Sequence, residues 1–193
     1  MSFMQSVKIP GERVGVLIGK GGKVKEMIEK TCGVKLSVDS EYGNVTITDS
    51  AKPDQMLPFK AVEIVTAIAR GFSPQRANRL LDEETMLYVQ DLKEFAGKSN
   101  NALERIKGRI IGVDGKARKI MEQLSGAYIS VYGHSVAMIG NSEEIRLASE
   151  AITMLARGSM HKAVYNMLEQ ARKRARLERV KLWEDNVYES SNI

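Results

Sequence analysis

The chain has 193 residues, room for one domain or two small ones, and its 43% hydrophobic and 27% charged content is that of a globular protein. A single cysteine, Cys32, excludes an internal disulfide and argues against a cysteine-based zinc site. No stretch is long and apolar enough to span a bilayer and the N-terminus has no signal-peptide pattern, so a cytoplasmic protein without a membrane partner is expected. The net charge of +5 is segregated: residues 13–25, 105–119 and 162–181 carry +4, +5 and +5, which leaves the remainder acidic. Two of these basic windows contain a glycine loop, a distribution that favours a polyanionic partner.

In chain order, "SVKI" near 6–9 reads as a short strand, followed by a helix that runs into Gly19-Lys20-Gly21-Gly22. The next helix has Val24, Met27, Ile28 and Thr31 on one face, the i, i+3, i+4 spacing of a buried stripe, and Gly33 ends it as a C-cap. In "VKLSVD", Leu36 and Val38 face one way and Lys35, Ser37 and Asp39 the other, a half-buried strand. "DSEYGN" is a polar hairpin loop, "NVTITDS" a second strand and "AVEIVTAIARGFS" a closing amphipathic helix. A linker follows at about 73–84, "SPQRANRLLDEE", in which Leu80 and Leu81 suggest partial order.

The unit then recurs. Shifted by 93, Gly19 and Gly22 meet Gly112 and Gly115, Leu17 and Ile18 meet Ile110 and Ile111, Gly33 meets Gly126, and Leu36 and Val38 meet Ile129 and Val131. "SVAMIGN" (135–141) resembles "NVTITDS" (44–50), and both closing helices end in Ala-Arg-Gly. With "TMLYVQ" (85–90) as its first strand, the second unit repeats the order β-α-α-β-β-α, an α+β pattern with helices on one face of a small antiparallel sheet. Residues 161–185 read as one further helix, amphipathic through Val164, Leu168 and Ala171 and strongly basic afterwards, suited to an RNA backbone, a partner protein or solvent.

The glycine loop fails as a nucleotide-binding loop: Gly15 to Gly19 is one residue short, Gly21 replaces the Ser or Thr that would hold magnesium, and the loop leaves a helix rather than a strand. Val24 stands where a dinucleotide fingerprint needs its last glycine. A purely geometric corner explains one or two glycines. It explains less well why both loops keep glycines three apart and follow them with Lys23 and Lys25, or Lys116, Arg118 and Lys119. Single-stranded nucleic acid fits better, because glycines admit phosphates to the backbone and a helix amino end with nearby cations attracts them.

"VLIGKGGKVKEMIEKTCGVKL" and "RIIGVDGKARKIMEQLSGAYI" resemble KH cores in type I order, in which a GxxG loop clamps about four nucleotides. The resemblance implies two type I KH domains, each a three-stranded antiparallel sheet packed on three helices, at 1–76 and 77–160, plus a basic C-terminal helix and tail at 161–193. The tandem arrangement, the Ala-Arg-Gly endings and the basic helix are most similar to archaeal members of the "partner of Nob one" family. That resemblance implies a ribosome assembly factor that binds small-subunit ribosomal RNA near its 3′ end and contacts assembly or initiation proteins such as the alpha subunit of archaeal initiation factor two. The expected RNA-binding residues are Gly19, Lys20, Gly21, Gly22, Lys23 and Lys25, with a second set at Gly112, Gly115, Lys116, Arg118 and Lys119.

Two departures stand out. Lys25 and Arg118 occupy the position, three after the last loop glycine, where many KH domains carry an aliphatic residue lining the base groove. Asp114 in the second loop opposes a phosphate, a repulsion on the order of 4 kcal/mol at ~4 Å before screening. The first loop is therefore expected to be the stronger clamp, although in eukaryotic relatives the second dominates. Tyr128 and Tyr132 share the strand face opposite to the core, where they would stack on bases or pack against the linker or the other domain. His134 and His161 have no metal-ligand company, Cys32 reads as packing, Trp183 anchors its helix or meets a partner, and the acids form no catalytic constellation. A monomeric, non-catalytic protein without cofactor or metal is expected. An adaptor whose KH folds are protein-interaction surfaces, with incidental RNA binding, is the alternative.

Overall fold

Alternation in the strands and the 3.6-residue stripe in the helices dictate the layering, and the computed structural model shows it over residues 3–49 and 57–190, with side chains described as far as Lys181. The first unit comprises β1 (Met4–Lys8), α1 (Gly11–Ile18), α2 (Lys23–Cys32), β2 (Val34–Asp39), β3 (Asn44–Asp49) and α3 (Pro58–Ala69). The linker forms a one-turn helix, α4 (Pro74–Ala77), and a 3-10 turn at Asn78–Leu81. The second unit comprises β4 (Met86–Asp91), a short α5 (Lys93–Ala96), α6 (Asn100–Ile111), α7 (Lys116–Ser125), β5 (Tyr128–Tyr132), β6 (Ser135–Gly140) and α8 (Ser142–Ala156). The basic helix α9 (His161–Ser190) ends five residues beyond the expected 185.

Each sheet is antiparallel with its last strand in the middle, in the orders β1-β3-β2 and β4-β6-β5. Leu36 pairs with Ile47, and Ile129 with Met138, so the inward residues of neighbouring strands stack on one face. In the first unit Leu17, Ile28, Cys32, Leu36 and Ile47 meet Ile64 and Ile68 of α3 with almost no exposure. Lys35 and Ser37, on the outer face, are exposed. Gly33 and Gly126 end α2 and α7 in left-handed conformations, as the sequence predicts.

The second sheet is buried on both faces. Val136 and Met138 of β6 belong to the core under α6–α8, while Ala137 and Ile139 belong to the core of the first unit, together with Ala77 and Leu80 of the linker. The first unit and linker thus cover the outer face of the second sheet. Tyr128 and Tyr132 lie in this contact rather than on an open stacking surface. The Arg76 and Arg79 guanidiniums stand 4.4 and 4.9 Å from the Tyr128 ring centroid, and the Tyr132 hydroxyl donates to Glu12 of α1. Between them, Ser130 Oγ donates to the Arg70 carbonyl at 2.9 Å. On the far side, Val164 and Leu168 of α9 enter the second core and Ala171 packs against it, which ties the amphipathic half of α9 to α7 and α8.

Candidate nucleic-acid interface

The two glycine loops have the same backbone. Gly19 and Gly112 take φ 73°, ψ 174° and φ 70°, ψ 179°, a region open to glycine alone. A Cβ on Gly19 would stand 2.9 Å from Val24 Cβ, and one on Gly112 2.8 Å from the Ala117 nitrogen. These first glycines therefore let the two helices of each unit meet. The later glycines differ: Cβ atoms on Gly21 or Gly22 would meet nothing within 4 Å, so that side of the loop is open to an approaching molecule. Asp114 takes the left-handed place of Gly21, at φ 52°, which the short polar side chain of an aspartate tolerates.

No side chain caps the amino end of α2 or α7, whose N-caps are Gly22 and Gly115. Lys23 N–H and Lys116 N–H bond back to the Lys20 and Val113 carbonyls, and no side chain competes for the amides that follow them at each helix start. Lys20 and Lys23 are exposed around the first loop, and Lys116 and Lys119 around the second. Lys25 is half-buried with Nζ 3.9 Å from Glu29 Oε1, whereas Arg118 is half-buried with its Nε out of contact with solvent and without a hydrogen-bond partner. Each expected set of residues is gathered at its own loop.

Two arginines of the basic windows are committed elsewhere. Arg13 donates to the carbonyls of Ile68 (2.8 Å) and Phe72 (2.6 Å), and Arg109 to those of Leu155 (3.2 Å) and Ser159. The acceptors are equivalent carbonyls at the ends of α3 and α8, so both arginines close the last turn of the helix above them. They are reached from helix positions one turn apart, a correspondence the 93-residue shift does not reveal.

Behind the second loop a cleft of about 510 Å³ is lined by Arg105, Gly108, Lys116, Ile120, His161 and Tyr165. It exists because α9 returns along α7. His161 Nε2 bonds the Arg109 carbonyl at 2.8 Å, and burial raises the Tyr165 pKa above the ordinary phenol range. His134 stands 3.9 Å from Asp91, and among the described residues no group of three His, Cys, Asp or Glu side chains is placed to hold a metal. The Trp183 side chain lies outside the described residues, and among those residues no helix is long and apolar enough to cross a membrane.

Residues 86–173 match the family described as "Eukaryotic type KH-domain (KH-domain type I)", and residues 4–56 match the KH domain family. The chain is 45% identical to KH domain-containing protein MJ0443 of Methanocaldococcus jannaschii, over 98% of this chain and 85% of that protein. It is 29% identical to the pre-rRNA-processing protein PNO1 of Chaetomium thermophilum, over 85% of this chain and 64% of that protein. This chain belongs to the PNO1-like family of tandem KH-domain proteins. Within that family it also resembles, with a TM-score of 0.84 and 47% identity, a chain in the crystal structure of the a/eIF2alpha-aDim2p-rRNA complex from Pyrococcus horikoshii OT3, covering 89% of this chain and 95% of that one. The type I KH fold expected from the duplicated core holds, and so does the PNO1-like membership expected from the tandem arrangement, the Ala-Arg-Gly endings and the basic helix.

Proposed function

We propose that this PNO1-like protein binds single-stranded segments of small-subunit ribosomal RNA, near the 3′ end, through its two glycine loops and serves ribosome assembly as a non-catalytic factor. The observation that carries the reading is the pair of superimposable loop conformations, each with open left-handed positions, an uncapped helix amino end and exposed lysines. Gly19 and Gly112 set the loop by letting the helices meet, Gly21 and Gly22 admit the phosphates and Lys20, Lys23 and Lys25 supply charge; Gly115, Lys116, Arg118 and Lys119 do the same in the second unit. The rRNA and a/eIF2alpha of the Pyrococcus complex, and the pre-rRNA-processing names of the PNO1 relatives, support ribosomal RNA and the alpha subunit of archaeal initiation factor two as partners. The protein acts as a monomer in the cytoplasm.

The test replaces Lys20 and Gly21 with Asp. The fold tolerates the second change, because Asp114 already occupies the equivalent left-handed position. Affinity for single-stranded RNA, read by filter binding, is expected to fall at least tenfold with the melting temperature nearly unchanged, and parental affinity should drop steeply with salt. Unchanged RNA affinity in the double variant would reject the first-loop assignment, and a flat salt response in the parent would favour the adaptor reading.

A further inference from the structure

Glu29 and Glu122 hold the same place in the two units and make the same bond to the next strand. Leu36 N–H donates to Glu29 Oε1 at 2.7 Å, and Ile129 N–H to Glu122 Oε1 at 2.6 Å. Four residues earlier on each helix stands a cation, Lys25 or Arg118, at the spacing where an acid neutralises it. In the first unit that pair forms, with Lys25 Nζ 3.9 Å from Glu29.

In the second unit the acid has another partner. Arg76 of the linker helix α4 forms a hydrogen-bonded ion pair with Glu122 Oε1. Arg76 is itself held over the Tyr128 ring and beside Phe72, and its neighbour Arg79 is paired with Glu144 at 2.6 Å. Arg118 has no ion-pair partner among the described residues. Its Nε is unpartnered and its Nη2 lies over the loop, 3.9 Å from where a Cβ on Gly115 would stand.

We propose that Arg76 is a positioning residue for the second loop: by occupying Glu122 it keeps the Arg118 guanidinium uncommitted and available to single-stranded RNA. The docking of the linker on β5 therefore sets the charge that the second groove presents. This rests on the reading of the second loop as an RNA contact. Without Arg76, the freed Glu122 carboxylate pairs with Arg118 along the helix, as Glu29 does with Lys25, and the groove loses a bidentate cation.

The experiment uses the full chain with its first loop silenced by Lys20→Asp and Gly21→Asp. Anisotropy of a fluorescein-labelled, mixed-sequence single-stranded RNA is read at low salt, with melting temperatures in parallel. Arg118→Ala is expected to weaken binding about tenfold and to lower the salt slope by about 0.7. Arg76→Ala is expected to weaken it severalfold in the same manner. Adding Glu122→Gln, whose carbonyl oxygen still accepts the Ile129 amide, should return affinity to within about twofold of the background. The charge-matched pair Arg76→Ala with Glu144→Gln should stay weak. The proposal is overturned if Arg76→Ala binds as tightly as the background, if Glu122→Gln fails to rescue, or if Glu144→Gln rescues equally well. An unaffected Arg118→Ala variant removes the second-loop reading itself, a failure distinct from the other three.

Discussion

Gly19→Ala separates the glycine that packs from the glycines that face open space. Gly19 sits at φ 73°, ψ 174°, where an alanine carries on the order of 1–3 kcal/mol of backbone strain. Its new methyl would stand 2.9 Å from Val24 Cβ and 3.1 Å from the Val24 nitrogen, and closer still to Val24 Cγ2. Overpacking of that kind adds roughly 1–3 kcal/mol. The two effects predict a loss of about 2–6 kcal/mol, which in a chain of this size lowers the melting temperature on the order of 4–24 °C. Gly21→Ala, with nothing within 4 Å and φ 62°, ψ 26°, carries only the left-handed penalty of about 1–2 kcal/mol. Adding Val24→Ala to Gly19→Ala removes the nearest methyl and should recover part of the overpacking but none of the backbone strain. Thermal unfolding followed by circular dichroism reads all of these variants. A Gly19→Ala protein that melts with the parent, or no lower than Gly21→Ala, would refute the assignment of Gly19 to helix–helix contact.

Arg13→Ala should lower stability by about 1–3 kcal/mol in urea denaturation, because it frees the Ile68 and Phe72 carbonyls, and should leave RNA affinity unchanged while the chain is folded. Arg13→Lys should rescue little of that loss, since one ammonium does not reproduce the two-pronged contact. Cys32 is fully buried and its thiol is pushed up to about 11, so it should resist an aromatic disulfide reagent at pH 8 until the protein unfolds. Because the folded pKa lies above the unfolded one, the stabilisation linked to this thiol is complete below the unfolded pKa and is lost as pH rises through about 11. Cys32→Ala should lack that part of the alkaline decline.

Backbone and core were legible in the sequence because each rests on a local rule. The repeat at 93 residues, the glycine C-caps at Gly33 and Gly126 and the alternation of Leu36 and Val38 all translate directly into structure. The relation between the units was written less plainly. "SVAMIG" resembles "NVTITD", yet the first is apolar on both faces and the second carries Thr46 and Thr48 on one. That difference marks β6 as a strand buried twice, and it follows that Tyr128 and Tyr132 on neighbouring β5 meet the linker and α1. The cations were legible as clusters but not by fate. Arg13 and Lys20 share one basic window, yet Arg13 is fixed by carbonyls more than fifty residues away while Lys20 is exposed. Such bonds depend on where a helix end arrives, which composition does not encode.

Duplication thus preserved the loop and diversified its surroundings. The two backbones agree to within about 10° at the angles that define them, even with Asp114 in place of Gly21, so loop geometry offers little on which the units can differ. Charge offers more. The first unit leaves Lys20 at the loop tip and pairs Lys25 with Glu29. The second replaces the tip lysine with Val113, adds an acid beside it, and pairs Glu122, the counterpart of Glu29, with Arg76 of the linker. A substitution at Lys20 therefore acts on one loop alone, whereas a substitution at Arg76, which lies in neither loop, reaches the second groove through Glu122. Under the proposed role of Arg76 the linker belongs to the second RNA surface, and the docking of the two units is a condition for its full charge.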